Sequence, residues 1–221
     1  MEQRAHFTRK LEELKLMVLR MAALAESAVH KSVKAFLEGD ADLAEEIIKG
    51  DSAINDLEDE IDAFNLELLA LDQPMAVDLR TIVGSMRITV NLERLGDEAV
   101  NLSHRAMFLS SRPPLPFNSK MEKLSETSKA MLADSLRAFV DGDVRLAEQV
   151  CRTDDEADRL TIQLLKEFIN DMVTESRIVE RGVHAIIAAR HLERIADLAT
   201  NIAESVAFIV EGDSLKHNCR G

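Results

Sequence analysis

The chain repeats itself once at a spacing of about one hundred residues, and this duplication limits its fold more than any other feature. The segment FLEGDADLAE at residues 36–45 matches FVDGDVRLAE at residues 139–148, an offset of 103 residues. The segment LERLGDEAVN at residues 92–101 matches LERIADLATN at residues 192–201, an offset of 100 residues. The two copies therefore differ by one shorter connection between helices. Such a chain is expected to fold as two similar units that pack on each other.

Proline marks the border between the two copies. Three of the four prolines of the chain are Pro113, Pro114 and Pro116, near its middle. Proline breaks helices, and a cluster of prolines is typical of a connection. We therefore predict a first repeat over residues 1–111, a proline-rich linker over residues 112–118 and a second repeat over residues 119–221.

The composition indicates an all-α protein. Aromatic residues make up 4% of the chain, Trp and Tyr are absent, and there are only 8 glycines and 4 prolines, so strand and turn formers are scarce. Apolar residues recur at the helical period, and short connections force neighbouring helices to lie antiparallel. We predict a tandem pair of antiparallel three-helix bundles. Their helices are expected at residues 8–37, 41–71, 76–110, 119–140, 144–171 and 176–211.

Charge and apolar run length exclude several classes of protein. The formal net charge of −13 argues against a nucleic-acid partner, because phosphate binding depends on Lys and Arg. No apolar run approaches the ~20 residues that span a bilayer, and the N-terminus does not resemble a signal peptide. Cys151 and Cys219 stand apart without metal-binding spacing, so reduced thiols are expected. These features favour a cytoplasmic protein.

Each repeat carries polar stripes opposite its apolar stripes. At 100° per residue, Glu93 and Asp97 share one face of the third helix with Asn101, and Leu92 and Leu95 lie on the other side. The corresponding face in the second repeat carries Glu193, Asp197 and Asn201. The second helices show a similar stripe of Asp51, Asn55, Glu58 and Asp62 in the first repeat and of Asp154 and Asp158 in the second.

Two carboxylates four residues apart repel each other, so a compensating partner is expected for each pair. If the second and third helices are neighbours, their oxygen atoms face one another across a groove. Carboxylate and amide oxygens suit Mg²⁺, Mn²⁺, Fe or Zn²⁺. The simpler interpretation is a solvated acidic surface with local ion pairs.

A metalloenzyme or metal store using the same acidic faces is the alternative function. Di-iron enzymes built on helical bundles use Glu-x-x-His, and that spacing is absent from the chain. Nucleotide-binding, serine-hydrolase and zinc-protease motifs are also absent. The residues therefore indicate no catalytic site.

The chain resembles the PhoU family, which comprises bacterial negative regulators of the phosphate regulon and accessory proteins of the phosphate ABC transporter. The resemblance is carried by FLEGD at residues 36–40, QPMAVDLR at residues 73–80, DDEAD at residues 154–158 and the two LER segments. It covers nearly the whole chain. It implies two three-helix bundles that bind metal ions, including iron clusters, through E(D)xxxD motifs.

The family motifs are carried over to this chain by position. They correspond to Glu93 with Asp97, Glu193 with Asp197, Asp154 with Asp158, and Asp51 with Asn55. Asn55 departs from the pattern because its oxygen is neutral, so the first-repeat site is expected to be weaker or to use Glu58. Asn101 and Asn201 are possible additional ligands. Gly96 is replaced by Ala196 in the second repeat, which is expected to alter packing more than metal binding.

The resemblance also implies partners. These are the sensor histidine kinase of the phosphate two-component system and the ATPase subunit of the transporter, through which the protein would associate peripherally with the membrane. The expected role is to hold the kinase in its non-signalling state without catalysing a reaction. A homodimer is expected on the same basis, since the residues themselves do not define the oligomeric state.

Overall fold

The computed structural model describes residues 2–71, 74–116 and 118–212 and confirms an all-α fold. It contains seven α-helices and a short 3₁₀-helix, and no strand occurs within these residues. The α-helices are α1 (Glu2–Glu38), α2 (Ala41–Gly50), α3 (Ser52–Leu71), α4 (Val77–Ser110), α5 (Ser119–Asp141), α6 (Val144–Thr174) and α7 (Val179–Val210). The 3₁₀-helix, Ser176–Ile178, precedes α7. The helices predicted from apolar periodicity are therefore present, and α1 begins earlier than predicted.

The second helix of the first repeat is interrupted, so the prediction of one helix over residues 41–71 is wrong at this point. α2 ends at Gly50, Asp51 forms a turn, and α3 begins at Ser52. The corresponding helix of the second repeat, α6, is continuous. The repeat offset aligns Gly50 with Thr153, and glycine disfavours a helix interior more than threonine does. The interruption is small, because Asp51 keeps right-handed helical dihedral angles.

Both repeats turn from their first to their second helix in the same way. Gly39 and Gly142 have φ angles of +70° and +65°, a conformation that glycine adopts without steric cost. The next residues, Asp40 and Asp143, accept hydrogen bonds from backbone N–H groups in the first turn of α2 and α6. The duplicated Gly-Asp pair is therefore both the end of one helix and the N-cap of the next.

Five helices form one layer, in which α2 and α3 follow each other along the chain, and the other two α-helices cover one side. α4 and α7 pack on each other at the centre, with α2 and α3 beside α4 and α6 beside α7. α1 packs on α2, α3 and α4, α5 packs on α6 and α7, and the two covering helices also touch. The opposite side of the layer is not covered by any described helix, and we call it the open face.

The apolar stripes of both repeats join in one core. Leu92, Leu95 and Leu102 of α4 are fully buried, as are Leu192 and Ile195 of α7. α4 ends at Ser110 and α5 begins at Ser119, so the linker predicted over residues 112–118 lies between helices. None of the described helices combines the length and apolarity needed to cross a membrane.

Candidate functional site

Three carboxylates converge on the open face of the second repeat. Oxygen atoms of Asp158 on α6 and of Glu193 and Asp197 on α7 lie within 4.8 Å of one another. Asp154 precedes Asp158 by one turn of α6. The negative charges of Asp158, Glu193 and Asp197 all raise its pKa. We call these four residues the second-repeat cluster. They come together because α6 and α7 are antiparallel neighbours whose polar stripes border the same groove.

The cluster holds more negative charge than its surroundings neutralise. Burial raises the pKa of Asp154 to about 7, and the charges of Asp197 and Asp158 act in the same direction. Burial also raises the pKa of Glu193, while Arg190 opposes the rise. The Arg190 guanidinium is 3.7 Å from Glu193, too far for a strong hydrogen bond. Repulsion between the carboxylates therefore adds to burial in raising both pKa values, and Arg190 and Arg194 oppose it at Glu193.

Two oxygen atoms in the cluster lack hydrogen-bond donors. Asp154 Oδ1 and Glu193 Oε2 are buried, and neither has a hydrogen-bond partner. Buried polar atoms are normally paired, and an exception requires an explanation such as an ion. A cation would interact with these oxygens and remove the repulsion that raises the carboxyl pKa values. The donor set of oxygens alone fits Mg²⁺, Mn²⁺, Fe or Zn²⁺.

The acidic residues of the first repeat interact with one another but converge less closely than those of the second repeat. Burial raises the pKa of Asp51 and of Glu93, and in both cases Asp97 adds repulsion. Burial likewise raises the pKa of Glu58, with Asp62, Asp59 and Asp97 contributing. Within the described residues, a group of three convergent ligands is found only in the second repeat. We call Asp51, Glu58, Glu93 and Asp97 the first-repeat cluster.

Asn55 occupies an exposed position beside Asp51. Its amide Nδ2 donates a hydrogen bond to Asp51 Oδ2 at 3.4 Å. The amide side chain therefore stabilises a carboxylate of the first-repeat cluster, whereas Asp158 at the corresponding position adds a charge. Asn101 and Asn201 lie one turn beyond Asp97 and Asp197, and their role as additional ligands stays a prediction.

Gly96 allows the helices of the first repeat to approach closely. A Cβ atom at this position would lie 2.9 Å from Asp51 Oδ1 and 3.0 Å from Ile54 Cδ1. In the second repeat Ala196 is accommodated with no exposed surface. The expectation that this substitution alters packing more than metal binding stays a prediction. The missing side chain at residue 96 leaves room for the carboxylate of Asp51 in the first-repeat cluster.

The structure also contains a buried ionic contact between the repeats, which the acidic stripes of the sequence do not predict. Glu98 on α4 is 8% exposed, and its carboxylate oxygens lie 2.6 Å from His191 Nδ1 and 3.3 Å from Arg194 Nη1 on α7. The duplicated sequence could have indicated this contact. The repeat offset aligns Glu98 with Leu198, and a charge that replaces an apolar residue within one fold indicates a partner.

A family model and curated relatives of this chain identify the same protein family. The family model described as the PhoU domain matches residues 18–106 and residues 121–206, one match in each repeat. A curated protein of Aquifex aeolicus named phosphate-specific transport system accessory protein PhoU homolog is 41% identical over 209 residues, covering 95% of both chains. A Caulobacter vibrioides protein of the same name is 34% identical over 215 residues, covering 97% of this chain and 90% of its own.

Solved structures match over nearly the same length. The crystal structure of PhoU from Pseudomonas aeruginosa superposes with a TM-score of 0.91 at 34% identity, covering 94% of this chain and 100% of that one. The phosphate transport system regulatory protein PhoU from Streptococcus pneumoniae gives a TM-score of 0.87 at 28% identity, with coverages of 94% and 98%. The layered arrangement of helices is therefore shared with both.

Proposed function

Because the chain belongs to the PhoU family, we propose that it is a metal-binding regulatory adaptor of phosphate uptake. Its relatives are named accessory proteins of the phosphate-specific transport system, and one solved relative is titled a regulatory protein. We place the protein in the cytoplasm as a homodimer. Its partners would be the sensor histidine kinase of the phosphate two-component system and the ATPase subunit of the transporter. It would repress phosphate-regulon signalling when phosphate is plentiful.

The observation that carries the metal-binding part is the second-repeat cluster. Asp158, Glu193 and Asp197 would supply ligand oxygens, and Asp154 would complete the set with its unpaired Oδ1. A bound cation would neutralise this part of the open face and tie α6 to α7. The first-repeat cluster would bind more weakly, because Asn55 replaces a carboxylate and its donors converge less.

The adaptor role is favoured over the metalloenzyme or metal store by the position of the cluster. Asp158 and Asp197 are exposed on the open face, so their carboxylates are open to solvent. An exposed cation without an enclosed reaction site suits a structural or regulatory ion. We therefore propose that the protein acts by binding partners and has no catalytic activity of its own.

Deletion of the gene tests the regulatory role. Phosphate-regulon expression in phosphate-rich medium is expected to become constitutive after deletion and to be repressed again when the wild-type gene is restored. Normal repression in the deletion strain would refute the regulatory role. Sustained turnover by the purified protein in the presence of Mn²⁺ or Fe would instead favour the metalloenzyme.

A variant that lacks four carboxylates of α4 and α7 tests whether these residues bind the metal. Substitution of Glu93, Asp97, Glu193 and Asp197 by Ala is expected to abolish metal retention by the purified protein. Helical content measured by circular dichroism serves as the folding control. Unchanged metal content would show that these residues are not the ligands.

A further inference from the structure

An apolar stripe continues the second-repeat cluster along α6. Ile162, Leu165, Ile169 and Val173 are 53%, 37%, 47% and 82% exposed. At 100° per residue they fall within a sector of about 80° that also contains Asp158. The spacing is that of one helix face, yet no described helix covers it. We call these four residues the α6 stripe.

The first repeat shows that the fold does not require an apolar residue at two of the four positions of this stripe. The repeat offset aligns Ile162 with Asp59 and Leu165 with Asp62. α3 of the first repeat packs beside α4 as α6 packs beside α7, so aspartate is compatible with these two positions in a folded bundle. Contiguous exposed apolar side chains on a soluble surface mark an interaction site more often than chance. The duplication thus supplies an internal control that separates folding from binding.

α7 widens the apolar surface. Val179 and Val183, both 43% exposed, lie at the α7 end of the same helical hairpin. Met172 of α6 packs closely against Gly182 of α7. A Cβ atom added at Gly182 would lie 2.8 Å from Met172 Cγ, so the absence of a side chain there lets the two helices lie side by side. The result is an elongated surface on one hairpin, apolar near the α6–α7 connection and acidic at the second-repeat cluster.

We propose that this surface binds an amphipathic helix of a partner protein that carries Lys or Arg beside its apolar stripe. An apolar helix face would lie along the α6 stripe, and its basic residues would meet Asp158, Glu193 and Asp197. A second copy of the chain carries the same formal net charge of −13 and is therefore a poorer occupant of this acidic surface than a basic helix. An anionic lipid surface would be repelled for the same reason. The proposal rests on the proposed adaptor function and identifies the partner element that it binds.

The test uses the full-length protein and a synthetic probe in EDTA, so that no cation occupies the carboxylates. The probe is a fluorescent amphipathic peptide of about 20 residues, with Leu on one face and Lys beside it. A matched peptide has Glu in place of every Lys. The variant Ile162→Asp with Leu165→Asp carries the residues of the first repeat, and Leu16→Asp on α1, where Leu16 is 66% exposed, is the control.

We expect the basic peptide to bind the wild type and the Leu16→Asp variant equally. Its affinity for the double variant is expected to fall at least tenfold, and the acidic peptide is expected to bind neither protein. Equal binding of the basic peptide to all three proteins, or of both peptides to the wild type, would overturn the proposal. Concentration-dependent dimerisation that the double variant abolishes would assign the surface to a second copy and would also overturn it.

The same variants separate this inference from the adaptor function. If the double variant loses peptide binding and derepresses the phosphate regulon while remaining folded, both proposals are supported. If deletion of the gene leaves the regulon repressed but peptide binding still depends on the α6 stripe, only the adaptor function fails. If deletion derepresses the regulon and the double variant binds the peptide like the wild type, only the docking surface fails.

Discussion

Glu98 of the first repeat and His191 of the second form the shortest polar contact between the central helices, with 2.6 Å between Oε2 and Nδ1. A carboxylate only accepts hydrogen bonds, so the imidazole Nδ1–H donates. Glu98 is largely buried, and Arg194 is its second partner. At the position related to Glu98 by the duplication, Leu198 is also buried. The duplication therefore places an ionised side chain at this position in the first repeat and an apolar one in the second.

Removal of this carboxylate is expected to weaken the interface between the repeats. Glu98→Ala should lower the free energy of unfolding by about 1–3 kcal/mol, because the largely buried His191 loses its acceptor and the exposed Arg194 loses an ion-pair partner. Urea denaturation followed by circular dichroism measures the change. Glu60→Ala on the exposed side of α3 is the control, with an expected change within about 0.5 kcal/mol. Equal effects of the two substitutions would show that the ionic contact contributes nothing.

Two glycine substitutions distinguish close packing from helix propensity. Gly96→Ala is expected to cost about 1–3 kcal/mol, since its Cβ would press on Asp51 and Ile54. Gly50→Ala meets no atom within 4 Å and is expected to stabilise by about 0.5–1 kcal/mol through helix propensity. Thermal and urea unfolding of the two variants should therefore give opposite signs. A stabilising Gly96→Ala would show that α3 moves away freely.

The raised pKa of Asp154 predicts a pH dependence of stability without metal. Its folded-state pKa of about 7 lies above the ordinary aspartate value of 3.8. The native state then binds more protons than the unfolded state, so this group stabilises below about pH 4 and loses its contribution as the pH rises towards 7. Asp154→Asn should flatten the decline of Tm between pH 4 and 7 in EDTA. Asp171→Asn is the control and should keep the wild-type slope, because Asp171 is exposed and lies 17 residues, about 25 Å, further along α6.

Metal addition should stabilise the protein mainly through the second repeat. At a hundredfold excess of Mn²⁺ over its Kd, one site adds about 2.7 kcal/mol to the free energy of unfolding. The variant Asp158→Asn with Asp197→Asn should lose most of this gain, and it should be more stable than the wild type in EDTA because a like-charge repulsion is gone. The variant Glu93→Gln with Asp97→Asn should keep most of the gain. Equal losses in both variants, measured by thermal unfolding and calorimetric titration, would contradict the ranking of the sites.

Much of the architecture could be predicted from the sequence, because it depends on local periodicity. The apolar stripe of Leu92, Leu95 and Leu102 predicts a buried helix face whatever the neighbours are, and the Gly-Asp pairs at residues 39 and 142 predict where helices end. Spacing at i and i+4 also places Glu193 and Asp197 on one side of α7. These properties follow from the geometry of a single helix.

The tertiary structure decided how the helices are rotated and how closely they approach each other. The convergence of Asp158 with Glu193 and Asp197 depends on the packing of α6 against α7, as does the unpaired Asp154 oxygen. The short contact between α3 and α4 depends on the absence of a Cβ at Gly96. Periodicity along one helix contains no distance to another, so the sequence determined the acidic faces, and only the packing between helices determined which carboxylates meet.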